Sequence, residues 1–186
     1  SPNNPCGSVI PEPDLRRLAE IAIDNDIIVM ADEIYKDMYY GDQEHVSITK
    51  FPGMRERTVI LDGFSKSYAM TGWRLGYGVF PDFLVEPVVR LMTNSVSCTS
   101  VFSQMAAIAA LEGPQDSVGM MMEEFTKRRD LVVAGLNSLP GITCPEPKGA
   151  FYAFPNITGT GLSSKEFAEK AMYEARVALL AGTAFG

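Results

Sequence analysis

The sequence predicts an α/β protein, with a mainly parallel sheet domain followed by a small second α+β unit. Three patterns carry that expectation. In the first half, apolar residues at helical spacing alternate with short runs typical of buried strands. One long amphipathic helix follows, and short strands flanking a capped helix close the chain. With 46% apolar residues in 186, there is material for a packed core.

The chain opens on a turn, Ser1-Pro2-Asn3-Asn4-Pro5. Behind Pro13 and Asp14, which suit a first helical turn, Leu15, Leu18, Ala19 and Ala22 recur at helical spacing. Residues 27–31 form a continuous apolar run ended by Asp32 and Glu33. That pattern predicts a parallel strand buried on both faces, with both acids at its carboxyl end. Residues 58–61 and 75–80 are two further strands, separated by a polar stretch that holds Ser65, Lys66, Ser67 and Thr71.

Residues 81–93 and 100–112 read as helices; the second is apolar nearly all round and closed by Gly113-Pro114, which predicts burial. From 115 to 139, Val118, Met121, Phe125, Val132, Leu136 and Leu139 keep a helical stripe with charged residues between them. Beyond Pro140-Gly141 the sequence predicts strands over 142–144 and 150–154, a helix opened by Ser163 and Ser164 and running to Ala175, and a strand over 177–180.

Charge and cysteine content narrow the function. A net charge of −7, with 16 basic residues dispersed among 23 acidic ones, supplies no stripe for a phosphate backbone, so nucleic acid is excluded as a partner. Cys6, Cys98 and Cys144 are odd in number, far apart and in no CxxC pair, which argues against a disulfide framework or a thiolate metal site. A reducing, cytoplasmic compartment fits. No apolar run approaches the roughly 20 residues that span a bilayer, so no membrane partner is expected. With a single histidine there is no zinc or Ser-His-Asp constellation; His45, beside Asp42 and Glu44, reads as a solvated side chain. The chain stops on Gly182-Thr183-Ala184-Phe185-Gly186, directly after an apolar run, and reads as a fragment.

Open α/β sheets bind ligands at the carboxyl ends of their strands. Lys66 falls there, among small polar residues. A lysine in a partly dry pocket beside another cation is more readily neutral and able to attack a carbonyl, whereas a loop lysine is by default surface decoration. Arg74, eight residues on, offers a planar fork suited to gripping a phosphate monoester. Asp32 reads either as a helix cap or as a carboxylate for a positive ligand group. Tyr35 either points its hydroxyl into the same crevice or packs its ring. Asn4 is a turn former or a donor to a ligand oxygen.

Taken in order, Asn4-Pro5-Cys6-Gly7, Asp32-Glu33-Ile34-Tyr35, Ser65-Lys66 and Gly72-Trp73-Arg74-Leu75-Gly76 resemble the motifs of the class I and II pyridoxal-phosphate-dependent aminotransferases of fold type I, the aspartate and aromatic aminotransferase kind. Gly149-Ala150-Phe151-Tyr152 and residues 182–186 extend the likeness over essentially the whole chain. The resemblance implies that Lys66 forms the internal aldimine with pyridoxal 5′-phosphate and then shuttles the proton at the substrate α-carbon. It implies that Asp32 pairs with the pyridine nitrogen, that Tyr35 and Asn4 donate to the phenolic oxygen, and that Arg74, with Ser65, holds the phosphate. Gly63 stands where many relatives have a phosphate-binding Ser or Thr.

On the same reading, residues 1–113 form the C-terminal half of the large cofactor-binding domain, and 114–186 a linking helix with part of the small domain. An upstream segment and the arginine for the substrate carboxylate would lie outside the chain. The implied substrates are an α-amino acid and a 2-oxo acid, and the implied assembly is a homodimer, with no metal. A carbon–sulfur lyase of the same fold and a non-catalytic dimerisation remnant are the alternatives.

Overall fold

The computed structural model describes residues 1–42 and 44–186. Helix α1, Glu12–Asp24, starts with acidic Glu12 and Asp14 in its first turn, where they complement the helix dipole. It buries Leu15, Ala19 and Ala22 against Ile48, Phe51 and the fully enclosed Met54. Leu18, on the expected stripe, stays exposed.

Strands β1 (Val29–Asp32), β2 (Thr58–Gly63) and β3 (Gly76–Val79) form one sheet in that order. The β1–β2 ladder is parallel, with Val29 opposite Thr58 and Asp32 opposite Leu61; β2–β3 is antiparallel, from Ile60 opposite Val79 to Gly63 opposite Gly76. The sheet is therefore mixed. At its Gly63–Gly76 end the backbones approach closely. A Cβ on Gly63 would lie 3.1 Å from the Gly76 Cα and 3.2 Å from the Leu75 oxygen, which explains glycine at this position.

The expectation that the first strand is buried on both faces does not hold. Val29 and Ala31 pack toward α1, but Met30 is 71% exposed and Asp32 shares its open side, because only one layer covers this edge strand among the described residues.

Helices α2 (Asp82–Ser95), α3 (Val101–Glu112), α4 (Asp116–Asn137) and α5 (Ser164–Ala175) occupy the expected stretches. A capping box opens α5: the Ser163 hydroxyl accepts the Glu166 N–H while Glu166 returns a bond to the Ser163 N–H. The burial expected of α3 is not found. Only Ser103 and Ala107 are buried, Ala107 against Phe64 and Leu75, while Phe102 is 73% exposed. No described helix is long and apolar enough to cross a membrane.

The late strands also differ. Residues 142–144 make a single bridge, Thr143 with Asn156, residues 150–154 form no strand, and 177–180 pair with no described strand. Residues 148–150 dock instead on Met38–Tyr40, through Tyr40 N–H to the Lys148 oxygen (3.1 Å) and Ala150 N–H to the Met38 oxygen (2.8 Å). Ala150 takes φ 57°, a left-handed conformation that a strand cannot continue through.

Candidate active site

Three segments meet beyond the carboxyl ends of β1 and β2: the turn that follows Asp32, the loop that carries Lys66, and residues 147–152. Tyr35 is buried, its ring edge-on to Phe151 at 5.6 Å and to Tyr152 at 5.7 Å, and its hydroxyl is hydrogen-bonded to that of Tyr152. Burial first, then the Tyr152 hydroxyl and the charge of Asp32, push the Tyr35 phenol well above its ordinary range. It is therefore a neutral donor at any physiological pH.

Lys66 sits over this aromatic floor. Its Nζ is 5.2 Å from the Phe151 ring centre and 5.9 Å from that of Tyr35. Among the described residues it has neither a carboxylate partner nor a hydrogen bond. Beside it, the buried Ser67 hydroxyl also lacks a partner.

Asp32 takes the local of the two roles the sequence left open, at a turn rather than a helix. One oxygen, Oδ1, accepts the Ile34 N–H at 3.2 Å and shapes the turn. The other has no partner among the described residues and remains available on the open face. Ser65 is half-buried in the Lys66 loop.

Arg74 closes that loop in a left-handed conformation, φ 54° and ψ 50°, just past the short turn Thr71–Trp73. It is exposed, and its Nη1 donates to the Thr71 carbonyl at 2.9 Å, leaving the rest of the guanidinium fork without a partner among the described residues. Asn4 is exposed, and the turn-forming role belongs to its neighbour: Asn3 Oδ1 accepts the Cys6 N–H at 3.2 Å. The Asn4 turn is tied to the site because the Gly7 carbonyl accepts N–H groups from Lys148 (2.8 Å) and Gly149 (3.0 Å). Only glycine fits at position 7, where φ is 63° and a Cβ would lie 2.6 Å from that of Pro147.

The structure thus brings Tyr35 and Lys66 together on an aromatic base that sequence reasoning gave no role, Phe151 and Tyr152. An apolar groove of about 450 Å³ runs from Pro5 past Phe151 and Tyr152 to Leu179 and Phe185.

His45 is a correction. Far from solvated, its Nε2 lies 3.0 Å from the Glu33 carboxylate and its Nδ1 3.2 Å from the Tyr39 hydroxyl, contacts 12 and 6 positions away that charge pattern alone does not reveal. Burial would raise the Glu33 pKa, but hydrogen bonds from His45 and Ser47 outweigh it and hold the carboxyl below its usual range.

A second charged cluster, Lys36–Asp62–Tyr77, also escaped the sequence. Its one visible signal was a carboxylate near the end of a buried strand, which must be paired to be stable there.

The donor set fits a phosphorylated pyridine aldehyde: an unpartnered amine, a neutral phenol, a free carboxylate oxygen and an open guanidinium. Comparisons with known proteins agree. The sequence matches the family described as aminotransferase class I and II over residues 1–186. It is 45% identical to an aspartate aminotransferase of Pyrococcus abyssi and 44% identical to aromatic-amino-acid aminotransferase 2 of Thermococcus litoralis, in each case over 100% of this chain and 48% of the relative. The crystal structure of an aromatic aminotransferase from Pyrococcus horikoshii superposes with a TM-score of 0.96 at 44% identity, covering 100% of this chain and 50% of that one. The chain spans about half the length of the curated relatives it matches.

Proposed function

This chain belongs to the class I and II aminotransferase family, and we propose that it carries the cofactor-binding lysine of a pyridoxal 5′-phosphate-dependent exchange of an amino group between an α-amino acid and a 2-oxo acid. The observation that carries this reading is Lys66, an amine over two aromatic rings with no carboxylate beside it among the described residues. Among the described residues no ion pair has to be broken before this amine can meet a carbonyl.

Each further role follows from what a side chain offers. Lys66 Nζ would hold the cofactor at its aldehyde carbon and would move the proton at the substrate α-carbon. The free oxygen of Asp32 would take the pyridinium N–H. Tyr35, kept neutral by burial, would donate to the phenolic oxygen, with Asn4 as the second donor. Arg74 and Ser65 would hold the phosphate. Gly63 brings only its N–H, already given to Asp62 Oδ1, so phosphate affinity rests on Arg74. When bound, the cofactor supplies the electron sink that stabilises a carbanion at the α-carbon.

In this reading residues 1–113 belong to the large domain and 114–186 to the linking helix and small domain. Family membership supports a homodimer, and the three free cysteines, two of them exposed, fit the cytoplasm.

Because the relatives are named for aspartate and for aromatic substrates, both should be offered. The chain loaded with cofactor and given either amino acid without an acceptor is expected to release one equivalent of the matching 2-oxo acid. Release of ammonia with the oxo acid would instead indicate an elimination, and the absence of any borohydride-fixed adduct of pyridoxal phosphate at Lys66 would overturn the reading.

A further inference from the structure

Two lysines lie near the site, and they are held in opposite ways. Lys66 has no anionic neighbour among the described residues. Lys36 is bonded to Asp62 Oδ2 and donates to the Tyr77 hydroxyl at 2.9 Å. Tyr77 in turn donates to Asp62 Oδ2 at 2.6 Å, and Asp62 Oδ1 accepts the Gly63 N–H at 2.6 Å. The Asp62 side chain is only 3% exposed. Burial alone would lower the Lys36 pKa, but the bonds to Asp62 and Tyr77 outweigh it and raise it, so Lys36 stays an ammonium and is no competitor for a carbonyl.

The position of this triad is informative. Lys36 follows Tyr35 directly, Asp62 precedes Lys66 by four residues, and Tyr77 comes three after Arg74. The β1–β2 ladder ends at Asp32 opposite Leu61, and past it the backbone of the Tyr35 turn is joined to β2 by the Glu33 N–H to the Leu61 oxygen at 2.8 Å. Beyond that bond, Ile34 Cδ1 lies against Gly63 and the Lys36 side chain adds an ion pair from the turn to the strand that launches the Lys66 loop. The Asp62 side chain is buried while that of Lys36 is 31% exposed, so displacing Lys36 leaves the Asp62 carboxylate away from water without its charged partner.

We propose that Lys36, Asp62 and Tyr77 form a strut of positioning residues that holds the Tyr35 turn, the Lys66 loop and the Arg74 segment in one register for carbonyl capture at Lys66. This rests on the cofactor reading above. Capture joins Lys66 Nζ to the aldehyde carbon as a C=N bond, the aldehyde oxygen leaves as water, and hydride from borohydride then fixes the bond.

The test compares Lys36→Met, Asp62→Asn and the conservative Lys36→Arg with the unsubstituted chain. Asp62→Asn keeps an acceptor for the Gly63 N–H while removing the charge. Lys36→Met and Asp62→Asn are expected to slow borohydride-fixed capture of pyridoxal phosphate at Lys66 by about tenfold and to shift the pH midpoint of the adduct's visible absorbance, with Lys36→Arg restoring most of both. Ala19→Gly, which weakens α1 by a comparable amount away from the site, is expected to change neither.

Amide hydrogen exchange supplies a readout that needs no cofactor. Exchange in residues 33–38 and 63–68 should rise together in Lys36→Met and Asp62→Asn, with α1 unaffected. If the unsubstituted chain captures no aldehyde at Lys66, the cofactor reading fails while coupled exchange still supports the strut. If Lys36→Met leaves exchange over 63–68 and any capture unchanged, or Ala19→Gly slows capture equally, the strut is overturned.

Discussion

The carboxyl end of the sheet and the α2–α3 pair belong to one chain and are satisfied very differently. Around Tyr35 the buried polar side chains other than Ser67 find partners within these residues: Tyr35 with Tyr152, Tyr40 with the Ala150 carbonyl at 2.7 Å, Glu33 with His45, and Asp62 with Lys36 and Tyr77. Along α2 and α3, Phe83, Val89, Leu91, Val101, Phe102 and Met105 are between 58% and 73% exposed. Fully burying one such side chain is worth about 1.5–3 kcal/mol, and the described residues collect little of that here. Within this chain the site is held by side-chain bonds, whereas the apolar faces of α2 and α3 meet few of the described residues.

That contrast can be broken in order of expected effect. Lys66→Ala should abolish any borohydride-fixed cofactor adduct while the thermal melt stays intact; a persisting adduct would remove Lys66 from its role. Arg74→Ala should weaken cofactor binding in a fluorescence titration, by about 2–5 kcal/mol where the bound phosphate and the guanidinium form a desolvated bidentate pair. Unchanged affinity would place the phosphate elsewhere.

Glu33→Gln should cost about 1–3 kcal/mol at neutral pH, because it loosens a buried bonded pair with His45. Its pH dependence has a definite sign. The folded carboxyl titrates below its unfolded value of 4.5, so its stabilisation is complete above that value and is lost as pH falls through the folded one. Denaturant melts of Glu33→Gln should lack this acid-side decline. Tyr152→Phe leaves the buried Tyr35 hydroxyl without that partner and should cost about 1 kcal/mol. Phe102→Ser, on the open face of α3, should stay within about 0.5 kcal/mol. A larger loss there than at Tyr152 would show that α3 is packed in solution and erase the contrast.

How much could be read beforehand follows the same division. Helices α1, α4 and α5 were legible because spacing, first-turn acids and the Ser163 cap are local signals. Lys66, Tyr35 and Asp32 stood out in the sequence because apolar runs end shortly before them in polar stretches. The predicted strand over 150–154 failed for a reason outside any window: Ala150 turns left-handed where its backbone docks on Met38–Tyr40. His45 and the Lys36 strut were equally hidden, since Lys36 meets partners 26 and 41 positions away. Periodicity reports a face to be covered but not what covers it, which is why α3 was expected to be buried.

The most direct test of the central claim is to add pyridoxal phosphate to the purified chain, reduce with borohydride and map the modified peptide by mass spectrometry. The account predicts modification confined to Lys66, with Lys36 untouched in its ion pair. Modification at Lys36 or another lysine with Lys66 unmodified would contradict it.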